Sequence, residues 1–563
     1  MTRPERKRSL QEPKFTLAES RVKNSMKRAA VALLCIGIFF FPALGQRQEH
    51  QHGTGQPKSL GEVHFATSCA VGVREEFQRG VAFLHSFWYS AAAETFAKIG
   101  EKDPSCGMAF WGLALSYYHP LWQPPDEEAL QRGAQAAEKA THSGAKTERE
   151  RTYIAAGAEF YRDWKTRSHA ERASAYASAM EKVAKNFPED KEATIFYALA
   201  LRATASPTDK TYSVQKKAGK LLEPLFLEQP NHPGIAHYII HCYDYPTLAA
   251  GALEAAHRYA QIAPDSPHAL HMPSHIFTRV GDWDASIASN QASADSARKN
   301  ALPNDELHAL DYMEYAALQE GRDYLAEEIL ARAAGVSPQS GHDFAGLYAI
   351  ASVPARFAVE RGDWAQATQL IVPRGVFPGG ALAWTEANLH FARALGAART
   401  GDAEVAGAER GRLEALKEVE RAQKDAYWTN QIDIQVQIVD SWIAWAAKQP
   451  GPALVRAKAA ADAEDASEKH PVTPGPLVPA RELYADMLFE ARRPAEALAE
   501  YEAVLALAPN RLAALSGAAR SAELTGAREK AKSLYGQLVE LTKNADAQRP
   551  EIQEARAKLA TFD

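Results

Sequence analysis

Two short stretches hold the residues best suited to bind a metal. "HALHMPSHIF" (268–277) carries His268, His271 and His275, and "HPGIAHYIIHCYD" (232–244) carries His237 and His241 at the same i, i+4 spacing. Residues four apart share one helical face, so each pair can aim two imidazoles at one point. Imidazole is the commonest protein metal ligand, and a shell of histidines suits zinc, copper or iron. The reading is one divalent ion per chain held by His237, His241, His271 and His275, with His268, Asp311 or His308 as further candidate ligands completing the shell. A coordination position left open would support redox or hydrolytic chemistry.

Helices must be stacked side by side to bring such pairs together, and the chain carries a repeat that does this. From Phe77, Gly80, Phe83, Ala92, Phe96 and Pro104 fall at the spacing of a 34-residue helical hairpin. Ala485, Leu488, Ala497, Tyr501 and Pro509 fall on the same register, and "RVGDWDASI" (279–287) and "ERGDWAQAT" (360–368) share a Gly-Asp-Trp turn. This pattern resembles the tetratricopeptide superfamily over most of residues 73–545. "FLHSFWYSAA", "DPSCGMAFWGLA" and "HMPSHIFTRVGDW" also resemble a group of exported bacterial tetratricopeptide proteins, from which no catalytic residue carries over. The resemblance implies an all-α, right-handed superhelical solenoid whose first helices line a concave groove. It also implies the competing function: a non-catalytic scaffold that binds an extended peptide or partner protein in that groove.

The repeat fixes where the histidines lie. With Pro264 closing one unit, His237 and His271 both occupy position 5, and His241 and His275 both occupy position 9. His268 falls at position 2. In the next unit Gly321 places His308 at position 2, Asp311 at position 5 and Tyr315 at position 9. Adjacent helices pack about 8–10 Å apart, a gap that inward imidazoles bridge through one ion with bonds of about 2.0–2.1 Å. Two features disturb this register: Pro273 kinks or restarts its helix, and six extra residues separate Gly281 from Gly321. His85 and His119, beside Trp88, Tyr118 and Trp122, read as core or peptide-groove residues; His50 and His52 lie in a polar leader.

The rest of the sequence bounds the setting. From Met26, Lys27 and Arg28 precede an apolar run from Ala29 to Phe41 and the small-residue site Ala43-Leu44-Gly45, the pattern of a signal peptide cleaved before Gln46. Residues 1–45 hold nine Lys/Arg and three Asp/Glu, six net positive charges, so the remainder carries about −12 against −6 for the whole chain. An acidic, exported protein is a poor partner for nucleic acid. No later stretch is long and apolar enough to cross a bilayer. The expected location is periplasmic or secreted. Cys69 and Cys106 flank the first hairpin at the same end, which predicts a disulfide, while Cys242 is left as a small buried filler. The expected segments are a leader peptide (1–45), a flexible leader (46–62), a repeat array with the histidine-rich groove (63–420), an irregular Pro-rich joint (421–477) and further repeats (478–563). Metalloprotease, C-x-x-C, nucleophile-elbow, phosphate-loop and EF-hand patterns are absent from the sequence.

Overall fold

The structure, a computed structural model, describes residues 59–121, 124–338, 344–546 and 549–562. The predicted signal peptide with Met26 and its cleavage site, along with His50, His52 and Trp122, lies outside the described residues. Among the described residues all regular structure is helical, in 26 α-helices and three short 3-10 helices. None of these helices is long and apolar enough to cross a membrane.

The small-residue and aromatic spacing of the repeat is a close backbone approach. Helix Arg74–His85 pairs with Tyr89–Lys102, and a Cβ added to Gly80 would lie 2.8 Å from the Phe96 ring. At the other end of the chain a Cβ on Gly517 would lie 2.3 Å from the ring of Tyr501. The Gly-Asp-Trp turns repeat as geometry too. Gly281 and Gly362 take positive φ, +70° and +64°, where glycine pays no steric penalty. Asp282 and Asp363 then cap the next helix by accepting the backbone N–H of Ala285 and Gln366. First helices also pack on first helices of the next unit: Pro303–Gln319 on Phe344–Val359, and that on Ala387–Thr400. This is a solenoid of helical hairpins.

Three expectations about its segments change. Residues 59–62 are not a flexible leader: Leu60 is buried, and the Glu62 amide donates to the Asn231 carbonyl. Phe65 behind them sits in an aromatic core 5.1–5.5 Å from the rings of Phe77, Trp111 and Tyr153. Segments 140–175 and 420–477, where the sequence fits the 34-residue spacing badly, keep the hairpin. The first contains Glu148–Tyr161, started by a Thr147/Glu150 capping box; the second contains the 21-residue helix Ala426–Ala446 paired with Pro450–Asp465. Lengthened helices break the 34-residue count without breaking the fold.

The Pro-rich loop 466–479 is no joint either. Its Val472, Thr473 and Leu477 are buried, and it reaches back across the molecule. The Glu468 amide donates to the Pro207 carbonyl, and Tyr212 donates to the Glu468 carboxylate. Trp283 Nε1 donates to the Asn510 carbonyl at 2.8 Å, and buried Arg511 pairs with Glu360 and Glu482. The later repeats are therefore packed onto the histidine-bearing ones.

Cys69 and Cys106 form a disulfide with Cα atoms 4.9 Å apart, closing the first hairpin. Cys242 is free and buried, and burial pushes its thiol up to about 12.

Candidate metal centre

Three successive first helices carry six buried histidines: Pro233–Tyr243, the broken helix Pro267–His271/Pro273–Val280, and Pro303–Gln319. They form two triads. In the first, His237 Nε2 lies 3.1 Å from both His241 Nε2 and His268 Nε2. In the second, His271 Nε2 lies 3.0 Å from His275 Nε2, and the His308 ring lies 4.2 Å from that of His271. Within each triad the three donor atoms lie within 4.8 Å of one another. The triads are neighbours, with ring centroids 6.1 Å apart for His241–His275 and 6.3 Å for His268–His271.

Hydrogen bonds on the far side of the rings decide the protonation of the near side. His237 Nδ1 faces the His85 carbonyl at 2.6 Å, and a carbonyl only accepts, so Nδ1 carries the proton. His275 Nδ1 likewise donates to Asp244, whose carboxylate Lys469 and Arg279 hold well below the usual range against the opposing effect of burial. His271 Nδ1 donates at 2.7 Å to Asn290 Oδ1, whose amide is oriented by donation from Nδ2 to the Ser286 carbonyl. His271 and His275 therefore turn two Nε2 lone pairs at each other across 3.0 Å. Burial pushes both imidazoles below their ordinary range, for His275 against the opposing pull of the Asp244 carboxylate and for His271 with the His275 ring adding to it, which favours the neutral rings. Two lone pairs facing one another this closely repel unless a cation lies between them. Partners that orient Nδ1 and free Nε2 are the usual second layer of a histidine metal site.

The arrangement differs from the single shell read off the repeat. His237 and His271, and His241 and His275, do occupy equivalent positions, but each i, i+4 pair closes on its own helix rather than across the gap. The third member decides this. His268 turns back to His237 and His241, while His271 and His275 take His308. Asp311 is not in either set: it pairs with Arg356 of the next unit, both fully buried. On the third helix His308 lies against the His271 ring, and Tyr312 against those of His271 and His275. Tyr315 reaches Arg511 instead. Pro273 does break the helix, yet Met272 stays in the right-handed helical region (φ −54°, ψ −34°), which preserves the i, i+4 relation of His271 to His275.

A third polar cluster is not of this kind. His85 and His232 each place Nε2 3.0 Å from Glu192. His232 Nδ1 accepts the Ile235 amide as a helix cap, so its Nε2 carries the proton and donates to Glu192. The cluster is a satisfied hydrogen-bond relay that ties the first repeat to the fifth. His85 is therefore core, as its aromatic surroundings implied, with its backbone carbonyl orienting His237. His119 lines a cleft beside Tyr89.

Sequence spacing missed the orienting residues. Asp244 lies three residues past His241, on no repeat position, and Lys469 lies 225 residues from the Asp244 it pairs with at 2.9 Å. Tyr312 donates to the Thr473 carbonyl at 2.8 Å, so residues 469–473 of the loop lie over the second triad.

No family model matches the chain, and no curated protein matches it in sequence. Among solved structures, the human IFIT1 dimer with PPP-AAAA overlaps 84% of this chain and 90% of its own at 12% identity, with a TM-score of 0.35. The human IFIT1 dimer with m7Gppp-AAAA overlaps 77% and 90% at 10% identity, with a TM-score of 0.33. Likeness at this level lends nothing to the site. The chain is an all-α solenoid of helical hairpins, and its own donor geometry carries the functional reading.

Proposed function

We propose that the protein binds a pair of metal ions, one in His237, His241 and His268 and one in His271, His275 and His308, and acts as a metal-dependent enzyme outside the cytoplasm. The observation that carries this is the facing of the His271 and His275 Nε2 lone pairs at 3.0 Å with both Nδ1 atoms committed to acceptors. Three protein donors per ion is the ligand number of catalytic sites, which leave a position for water or substrate. Among the described residues no carboxylate or thiolate joins either triad, which favours copper or zinc over iron. Copper would supply redox chemistry, and zinc would supply Lewis-acid hydrolysis.

Export follows from the signal-like N-terminus, and the Cys69–Cys106 disulfide suits an oxidising compartment. Intact mass of the exported protein should begin at Gln46; retention of residues 1–45 removes that part of the reading.

The deciding measurement is elemental analysis after dialysis against a weak chelator, with zinc and Cu(II) each offered to the stripped protein. Two ions per chain are expected. A protein that holds neither metal and gains no thermal stability from either would return the solenoid to the peptide-scaffold reading.

A further inference from the structure

Beyond the histidines, two later first helices bring together a second set of polar groups. Asn388 on Ala387–Thr400 and Gln435 on Ala426–Ala446 meet where these helices pack. Gln435 Nε2 donates to Asn388 Oδ1 at 2.9 Å. That bond leaves the other half of each amide unused: Asn388 Nδ2, a donor, and Gln435 Oε1, an acceptor, are buried and make no hydrogen bond. Asn388 as a whole is 6% exposed. The Tyr348 hydroxyl stands beside its amide but is turned to the Gly475 carbonyl, to which it donates. Turning both amides over exchanges the two roles and still leaves the pair offering one donor and one acceptor. A buried polar atom without a bond costs about 1–3 kcal/mol, so a partner that meets both is favoured.

Both residues line one cavity of about 90 Å³, below the roughly 300 Å³ at which sites for drug-sized ligands begin. Tyr427, Trp428, Ile434 and Leu477 supply carbon walls. The Trp428 ring is held by stacking on Trp384, with centroids 3.5 Å apart. The acidic and basic side chains in the wall are each answered within the protein. Glu468 accepts from Lys210 and Tyr212, and Lys469 donates to Asp244. Glu464 accepts the Ala480 amide, and burial pushes its carboxyl up to about 8, which keeps it largely uncharged at neutral pH.

We infer that this cavity binds a small neutral molecule through a primary carboxamide, whose carbonyl accepts from Asn388 Nδ2 while its N–H donates to Gln435 Oε1. A carboxamide carries an acceptor and a donor on neighbouring atoms, the complement of what the pair offers. One water meets both atoms as well but leaves the carbon walls wet, whereas an amide with a short alkyl tail covers atoms and walls together. A carboxylate lacks the donor, gives up its hydration on entry, and finds Lys469 already paired with Asp244. The inference does not rest on the metal reading.

The test uses the full-length, metal-stripped protein and three probes of one size and shape, propionamide, butanone and propionate, titrated by saturation-transfer NMR. Propionamide should bind saturably and at least tenfold more tightly than butanone, which lacks the N–H, and than propionate, which is charged. In Asn388→Leu/Gln435→Met that preference should fall below about threefold. The double change replaces both partners by apolar groups of similar size and strands neither, and an unchanged thermal melt confirms that the fold is retained. Gln435→Met alone should show the same loss, which decides the matter where the double variant melts early. Absence of saturable propionamide binding at tens of millimolar would make this a cavity for water only and overturn the assignment. Equal affinity for the three probes, or a preference indifferent to the substitutions, would overturn it as well. Because no metal is present in the titration, its result stands whether or not the histidines bind ions.

Discussion

At the scale of single residues, the two triads make separable predictions. His237→Ala should lose the first ion and keep the second, and His275→Ala should do the reverse; elemental analysis reads one ion per chain in each. A single four-histidine shell would lose everything in both. Asn290→Leu keeps the volume but removes the acceptor for His271 Nδ1. It should weaken the second site by about 10–100-fold in competition with a chelator and leave the first unchanged. The histidine cluster was largely legible in the sequence, because i, i+4 pairs on one face are a matter of helix geometry alone. His237, His241, His268, His271, His275 and His308 all fall in the two buried clusters. Which histidine joins which pair was not legible, because that depends on how far each helix is rotated by its neighbour. Of the two further candidates on the third helix, His308 joins His271 and His275 while Asp311 pairs with Arg356 instead. Asp244 and Lys469 left no sequence signal because an orienting partner is bound by no spacing rule.

At the scale of helices and loops, the small-and-aromatic register of the repeat was readable because it records physical contact. Gly80→Ala should destabilise the protein by about 1–3 kcal/mol in chemical denaturation, since the new methyl group meets the rigid Phe96 ring. Reducing the Cys69–Cys106 bond should cost the first hairpin about 3–4 kcal/mol on a loop-closure estimate, seen as accelerated amide exchange confined to that repeat. Alkylation of unfolded, unreduced protein that starts at Gln46, and so lacks Cys35, should find one free thiol, Cys242. What the sequence obscured was the role of proline. In "EKHPVTPGPLVP" it signalled a place where regular structure stops, which is correct, but stopping a helix does not free the chain. The loop is fixed by contacts more than a hundred residues away, such as Tyr348 donating to the Gly475 carbonyl, and no local pattern encodes those.

At the scale of the whole molecule, the centre sets the pH response. All six histidines are buried, and burial lowers the pKa of each. The unfolded chain therefore takes up protons that the folded metal-free chain excludes. Stability is present above the unfolded value of about 6.5 and is lost as pH falls below it, by about 1.4 kcal/mol per pH unit for each imidazole that must charge on unfolding. Thermal melts of stripped protein should fall steeply from pH 7 to pH 5, and bound metal should flatten that dependence. A stripped protein whose melting temperature is level across this range would contradict the neutral, buried state of the imidazoles.

The loop over the second triad has a consequence in time. His271, His275 and His308 are made some 160 residues before the segment that covers them, so a chain folding from its N-terminus would complete the pocket first and shut it afterwards. Loading is then a matter of history as well as affinity. Metal offered during refolding should fill both positions together, whereas metal offered to finished protein should fill one position quickly and the other only as fast as residues 466–479 lift away.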